Sequence, residues 1–334
     1  MKKNVLQSDG GGEFSSPLQL LPKAGGQSRA PARGDSAFRW VTLISAMFVP
    51  LVMLAIGVEL VRSSWPALKT FGPGFLISND WNPVTQSFGA ASSIFGTLVS
   101  TLIAMVIAVP LSLAIALFLV ELAPPKVSRT VGTMIELLAA IPSIIYGMWG
   151  LFIFAPFMAH YVQPLLGETL GFLPLFKGPP LGIGMFTAGI ILAFMVLPFI
   201  SAIARDVFKL VPSVVKESAF GLGATTWEVT RKVTIPYGLV GILGAVFLGL
   251  GRALGETMAV TFVIGNAHRI SASLFAPGNT IASTLANEFS EATEPLYVGS
   301  LVALGLVLYL LTYVVQVISQ MMLKRMYRAW SVGL

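Results

Sequence analysis

The sequence predicts an all-α membrane protein that crosses the bilayer six times, and three observations carry that prediction. Of 334 residues, 55% are hydrophobic and 11% are charged, whereas soluble domains average about 25% charged residues. So few charges leave a surface that only lipid can solvate. Six apolar stretches each reach the roughly 20 residues that a spanning helix needs. The basic residues between those stretches gather on one side.

Taken in order, residues 1–38 are polar and rich in Gly, Ser and Pro, which predicts a disordered cytoplasmic tail. The first apolar run starts too far along for a secretory signal. It reads as a retained span over Trp40–Leu60, kinked at Pro50. The second span lies within the uncharged stretch Ala91–Val120. The third covers Val131–Phe154, with Glu136 near one end and Pro142 inside it. The fourth covers Gly182–Ala204, the fifth Gly238–Ile264 and the sixth Tyr297–Leu323. Residues 39–330 thus form one six-span domain. Residues 61–90 read as a long outer loop and 155–181 as a second, broken by prolines. Residues 266–296 make a third, with Glu288, Glu291 and Glu294 docking a partner or keeping the loop solvated. His160 and His268 fall in outer loops and read as surface residues.

With the N-terminus in the cytoplasm, 16 of the 21 Lys and Arg residues fall inside. The exceptions are Arg62, Lys69, Lys177 and Arg269 outside, and Arg252 within a span. This places the C-terminus inside as well and explains the net charge of +6 without nucleic acid. Cysteine is absent, which excludes a disulfide framework and thiolate chemistry. The two histidines have no metal-site spacing. The chain is therefore read as carrying no metal and no cofactor, and as no enzyme.

The cytoplasmic loop 205–236 joins spans four and five. Pro212 and Ser213 suit a helix start, Gly221 and Gly223 a turn that ends it. A second helix can run from Thr226 until Pro236 opens the next span. Val214, Ala219, Phe220 and Leu222 give the first helix a small apolar face, which can seat in a partner's groove or simply lie at the interface. At this point the chain resembles the permeases of ATP-binding-cassette importers, marked by E-A-A-x3-G-x9-I-x-L-P. Glu217, Ala219, Gly223 and Pro236 match that pattern. Ser218, Val233 and Ile235 are conservative departures at family spacing. The resemblance implies a type I importer (MetI-like) fold, with coupling helices that contact an ATPase subunit through Glu217, Ser218, Ala219, Gly223 and Pro236. The chain has no G-x-x-x-x-G-K-[ST] loop, so ATP is expected on a partner.

Arg252 sits near the middle of the fifth span, where an arginine costs about 2.5–3.5 kcal/mol on insertion scales. Glu256 follows one helical turn later on the same face. Two readings stand. The pair neutralises itself and locks helices together, with Gly251 and Gly255 as a close-approach ridge. Alternatively, Arg252 lines a path and its planar fork takes an oxyanion. Gly251-Arg252-Ala253-Leu254-Gly255-Glu256-Thr257-Met258-Ala259-Val260 resembles the fifth-span signature of phosphate-specific (Pst) importer permeases of the PstC type. Phe71–Leu76, Trp81–Thr85 and Ala140–Gly147 add to the likeness, which spreads over most of residues 40–330. It implies that Arg252 and Glu256 take part in phosphate translocation. It also implies a sister permease (PstA type), an ATPase dimer (PstB type) and an extracytoplasmic phosphate-binding protein (PstS type). Ser143 and Thr257 are candidate hydroxyl donors on the pathway, although such hydroxyls mostly bond their own backbone. Other oxyanions, such as phosphonate or molybdate, and an ATPase-independent carrier are the alternatives.

Overall fold

The computed structural model describes residues 33–331, so most of the tail predicted for 1–38 lies outside the described residues. Helix α1 (Arg33–Phe71) already contains residues 33–38 and continues through Pro50 and past Leu60. It stops where Gly72 takes a φ of +53° and Pro73 follows. Residues 61–71, read as outer loop, are therefore helix. Residues 33–54 belong to a first unit, helical with exposed side chains from Gly34 onward. The second unit begins at Ala55 and holds the other spans.

A short helix α2 (Gly74–Ile77) leads into a two-stranded hairpin, β1 (Trp81–Asn82) and β2 (Ser87–Phe88), with Trp81 opposite Phe88. Then come α3 (Ala91–Leu122), α4 (Pro125–Ala139), α5 (Ser143–Leu170) and α6 (Met185–Lys209). Helix α7 spans Ser213–Gly221 and α8 Thr226–Leu254. The short α9 (Met258–Thr261) and α10 (Ile281–Glu288) precede α11 (Pro295–Ser331). Six helices among the described residues are long and apolar enough to cross a membrane: α1, α3, α5, α6, α8 and α11. Apart from the hairpin, the predicted all-α, six-span architecture holds.

The centre of the second unit is α3 against α6. Ser93, Thr97, Ser100, Thr101, Ala104, Ala108, Ser112 and Ala116 are buried along α3. This run of small residues lets two backbones approach in a medium where apolar side chains gain nothing over lipid. A Cβ on Gly189 of α6 would sit 2.6 Å from Ile103. Ser112 Oγ donates across the seam to the Leu197 carbonyl at 2.9 Å.

The third span needs correction. Residues 125–139 form the separate helix α4, and the span is α5, starting at Ser143. Hydropathy ran on through 131–154, but α4 carries Arg129, Thr133 and Glu136 on one face and exposed Val127, Met134 and Leu138 on the other. That is the pattern of a helix lying along an interface. Pro142 has an extended backbone and starts the new helix, a position where its missing N–H leaves no helical bond unmade. Tyr146 Oη donates to the Leu138 carbonyl at 2.9 Å and clamps the break. At its far end α5 runs to Leu170, so His160 lies in a helix and bonds the Pro156 carbonyl rather than sitting in a loop.

Candidate functional site

The fifth span also differs from its sequence reading. Helix α8 ends at Leu254 with Gly255 as its cap, and the chain to Ile264 is not one helix. Polar side chains compete with the helix here. Glu256 Oε1 accepts from the Ala259 N–H at 3.1 Å, holding the start of α9. Thr257 Oγ1 approaches the Gly255 carbonyl at 3.3 Å. Because the helix stops between them, Glu256 does not lie one helical turn beyond Arg252, and the two form no ion pair. Arg252 is exposed, and among the described residues no carboxylate pairs with it. Its guanidinium lies 5.6 Å from the centroid of Phe199 on α6, a cation–π contact that leaves its N–H fork free.

The glycines around it are not the expected ridge within this chain. A Cβ on Gly244 or Gly251 would meet nothing within 4 Å. Close approach falls instead to Gly241, 2.7 Å from Val207, and Gly249, 2.6 Å from Ile200. The face bearing Gly244, Leu248, Gly251 and Arg252 is thus the open one. Past the break, Val263 and Ile264 are wholly buried although irregular in backbone. Non-helical chain at this depth is tolerated where protein covers it or where it lines a cavity. Gly147 of α5 packs against this segment: a Cβ there would lie 2.7 Å from Phe262 and 3.0 Å from the Met258 carbonyl. Ser143 sits one turn earlier on that face of α5, half-buried.

The hairpin between the fourth and fifth spans takes the predicted form. Pro212 caps α7, and Gly223 has a φ of +85°, which an L side chain enters only with strain. Thr225 and Glu228 close a capping box at the start of α8. Glu217 and Ser218 are exposed, and Ala219 and Gly223 line a cleft of about 330 Å³ with Leu222, Val229 and Val233. Pro236 is half-buried inside α8, which does not stop before it. A wider helical turn at Thr230–Thr234 precedes it, where a missing N–H is easily absorbed.

Sequence reasoning missed what anchors this hairpin. Lys216 Nζ on α7 reaches Glu121 Oε1 at the end of α3, 2.6 Å away, and Thr234 Oγ1 donates to the same oxygen at 3.1 Å. The two charged side chains are only 17% and 10% exposed. One clue existed: Glu121 is the lone carboxylate ending an uncharged stretch. A second charged pair, Glu136 with Arg205, was likewise not foreseen. They form an ion pair, with Arg205 buried.

The segments before the second span and before the sixth carry a further unforeseen cluster. Trp81 Nε1, Tyr297 Oη and His268 Nε2 converge on Glu288 at 2.6, 2.7 and 2.8 Å. Trp81 stacks on His268 with ring centroids 5.2 Å apart. His268 and Glu288 are thus largely buried structural groups, contrary to their reading as surface residues. Burial pushes the Glu288 carboxyl up, but the hydrogen bonds from His268, Tyr297 and Trp81 outweigh it and hold the group below the usual range.

Comparison with known proteins places these features. Residues 108–328 match the family of binding-protein-dependent transport system inner membrane components. The chain is 56% identical over 295 residues to the phosphate transport system permease protein PstC of Mesorhizobium japonicum, covering 87% of this chain and 90% of that protein. The Pasteurella multocida PstC is 56% identical over 292 residues, covering 86% and 91%. A probable PstC of Methanocaldococcus jannaschii is 39% identical, covering 86% and 93%. Among solved structures, a bacterial alginate importer bound to its pentasaccharide-loaded periplasmic protein superposes with a TM-score of 0.58 at 16% identity, over 87% of this chain and 96% of that one. The inward-facing methionine transporter MetNI gives 0.52 at 18% identity, over 70% and 94%. These two share the fold. The chain belongs to the binding-protein-dependent transport inner membrane components and, within them, to the PstC-type phosphate transport permeases.

Proposed function

We propose that this chain is the permease subunit of an ATP-driven importer that carries inorganic phosphate across the cytoplasmic membrane, and that phosphate passes Arg252. The likeness to PstC permeases at 56% identity over 87% of the chain supports the cargo. One observation supports the site: a guanidinium in a spanning helix that no carboxylate neutralises. A cation at that depth is tolerated where it faces water or a charged solute. The planar fork suits a tetrahedral oxyanion bidentately. Glu256, committed to the Ala259 N–H, keeps the break open. Ser143 and Thr257 would be hydroxyl donors along the same path.

The open face of α8 is where a sister permease of PstA type would complete the path. An ATPase dimer of PstB type would hold ATP and grip Glu217, Ser218, Ala219 and Gly223, with Pro236 behind them. A PstS-type binding protein would deliver phosphate to the outer loops. Both termini would lie in the cytoplasm, as the basic loops favour. The chain itself would use no metal or cofactor.

Reconstitution tests this reading. Phosphate uptake into proteoliposomes should require the ATPase subunit and ATP, and should resist competition by molybdate or phosphonate. Uptake without the ATPase would overturn the importer reading. Stronger uptake of a competing oxyanion would overturn the cargo.

A further inference from the structure

A pocket of about 400 Å³ opens between α4 and the end of α6, lined by Ser128, Arg129, Thr133, Glu136, Arg205 and Lys209. Three of these are cations and one is a carboxylate. Arg205 is only 9% exposed. Its guanidinium lies directly on Gly132: a Cβ there would sit 1.9 Å from Nη1, so only glycine leaves it room. Nη2 donates to Glu136. Nε is buried with no hydrogen-bond partner; Asp206 Oδ1, 3.7 Å away, is an ion-pair neighbour too distant for a hydrogen bond. Lys209 Nζ is 3.1 Å from Asp206, with both side chains more than half exposed. Among the described residues Arg129 pairs with no carboxylate.

An unfilled donor on a buried cation calls for an acceptor, and two further bases beside it call for an anionic one. The location says which. The opposite face of α4 exposes Val127, Met134, Leu137 and Leu138, so this helix rides at the boundary between acyl chains and water. Basic pockets between helices at that level suit phospholipid headgroups. We propose that the pocket binds the phosphodiester headgroup of an anionic phospholipid, through Arg129, Lys209 and Arg205 Nε. The lipid staples α4 to the end of α6, and α7 follows only a few residues later. The proposal rests on the cytoplasmic placement of this loop given above. Free inorganic phosphate offers the same chemistry, and the test separates the two.

The purified full-length chain is delipidated, offered equimolar phosphatidylglycerol and phosphatidylethanolamine in mixed micelles, and read by native mass spectrometry. Phosphatidylglycerol should be retained in preference. Arg129→Gln or Lys209→Gln should each cut that preference about fivefold, and the double variant about twentyfold. Gly132→Ala should do the same without removing a charge, by displacing the Arg205 guanidinium. If that variant misfolds, the two Gln variants still decide, since they leave Arg205 and Glu136 in place. An unchanged preference in the double variant overturns the proposal. So does displacement of phosphatidylglycerol by millimolar inorganic phosphate, which assigns the pocket to the free anion. Because the chain lacks cysteine, Lys126→Cys reports topology through an impermeant maleimide. Labelling only from the outer face overturns the orientation, and lost lipid preference with inner labelling overturns the lipid site alone.

Discussion

Two charged places in this chain, the Lys216–Glu121 pair under the hairpin between spans four and five and Arg252 at the break in the fifth span, are built on opposite plans. The first is closed. A cation and a carboxylate meet at 2.6 Å, a threonine hydroxyl fills a second position on the same oxygen, and little solvent reaches either charge. The second is open. Arg252 has an aromatic ring at 5.6 Å, no carboxylate and no flanking side chain over Gly251. Thr234 and Arg252 both lie on α8, so one helix touches both arrangements. The difference teaches what each charge is for. A filled pair resists displacement and can pass force from a docked partner into the spans. An unfilled guanidinium keeps its hydrogen-bonding capacity for something that comes and goes.

The comparison breaks most readily at Arg252. Replacing it by Gln should lower ATP-dependent phosphate uptake at least about 100-fold, the value of a lost charge-assisted bidentate contact, while co-purification with partner subunits persists. Retained uptake would show that the open charge serves packing alone. At the closed site, Glu121→Gln should cost about 2–3 kcal/mol, because it strands the Lys216 ammonium in a mostly buried place. The measurement is the unfolding midpoint of the purified protein together with the ratio of phosphate moved to ATP hydrolysed. An unaltered midpoint and ratio would mean that the pair carries no load.

A smaller effect is expected in the cluster around Glu288, which also follows the closed plan. Glu288→Gln places an amide N–H against a donor, either Trp81 or His268, and should cost about 2 kcal/mol of local stability, read by hydrogen exchange around Trp81 and Tyr297. The carboxyl is held below its ordinary value. Its stabilisation is therefore fully present above the unfolded value of about 4.3. It is lost only as pH falls through the depressed folded value. Exchange that rises already between pH 7 and 5 would contradict this. The smallest effect belongs to Gly223. A leucine there pays only backbone strain within this chain, about 1–2 kcal/mol, since no atom lies within 4 Å. Gly221→Leu, at a site equally open and without positive φ, is the control. Uncoupling of ATP hydrolysis by the first variant and not the second would sharpen the assignment of this turn as the contact with the ATPase.

Much of the fold was legible because its signals are local. Apolar length marks a span wherever it occurs, and Pro212, Ser213, Gly221 and Gly223 punctuate the hairpin through their own backbone preferences. Legibility failed where two signals overlapped. Residues 131–154 are continuously apolar enough to hide the turn at Pro142, and Gly238–Ile264 likewise hid the end of α8 at Gly255. The first outer segment was read as loop because Trp65 and Pro66 suggest one, yet α1 runs through them. Of the candidate site, Arg252 was found from its cost alone. Its relation to Glu256 was not, because an i, i+4 pairing presumes a helix that stops between the two.

The sequence by itself determined the number of spans, the helical class and the hairpin between spans four and five. These follow from transfer energies and backbone preferences that each residue carries with it. Only the tertiary structure decided which charges are satisfied. Glu121 meets Lys216 across 95 positions of chain and Trp81 meets Glu288 across 207, while Arg252 meets no carboxylate. In a membrane the energy of a charge depends almost wholly on what stands within a few ångströms of it, and no local pattern encodes that.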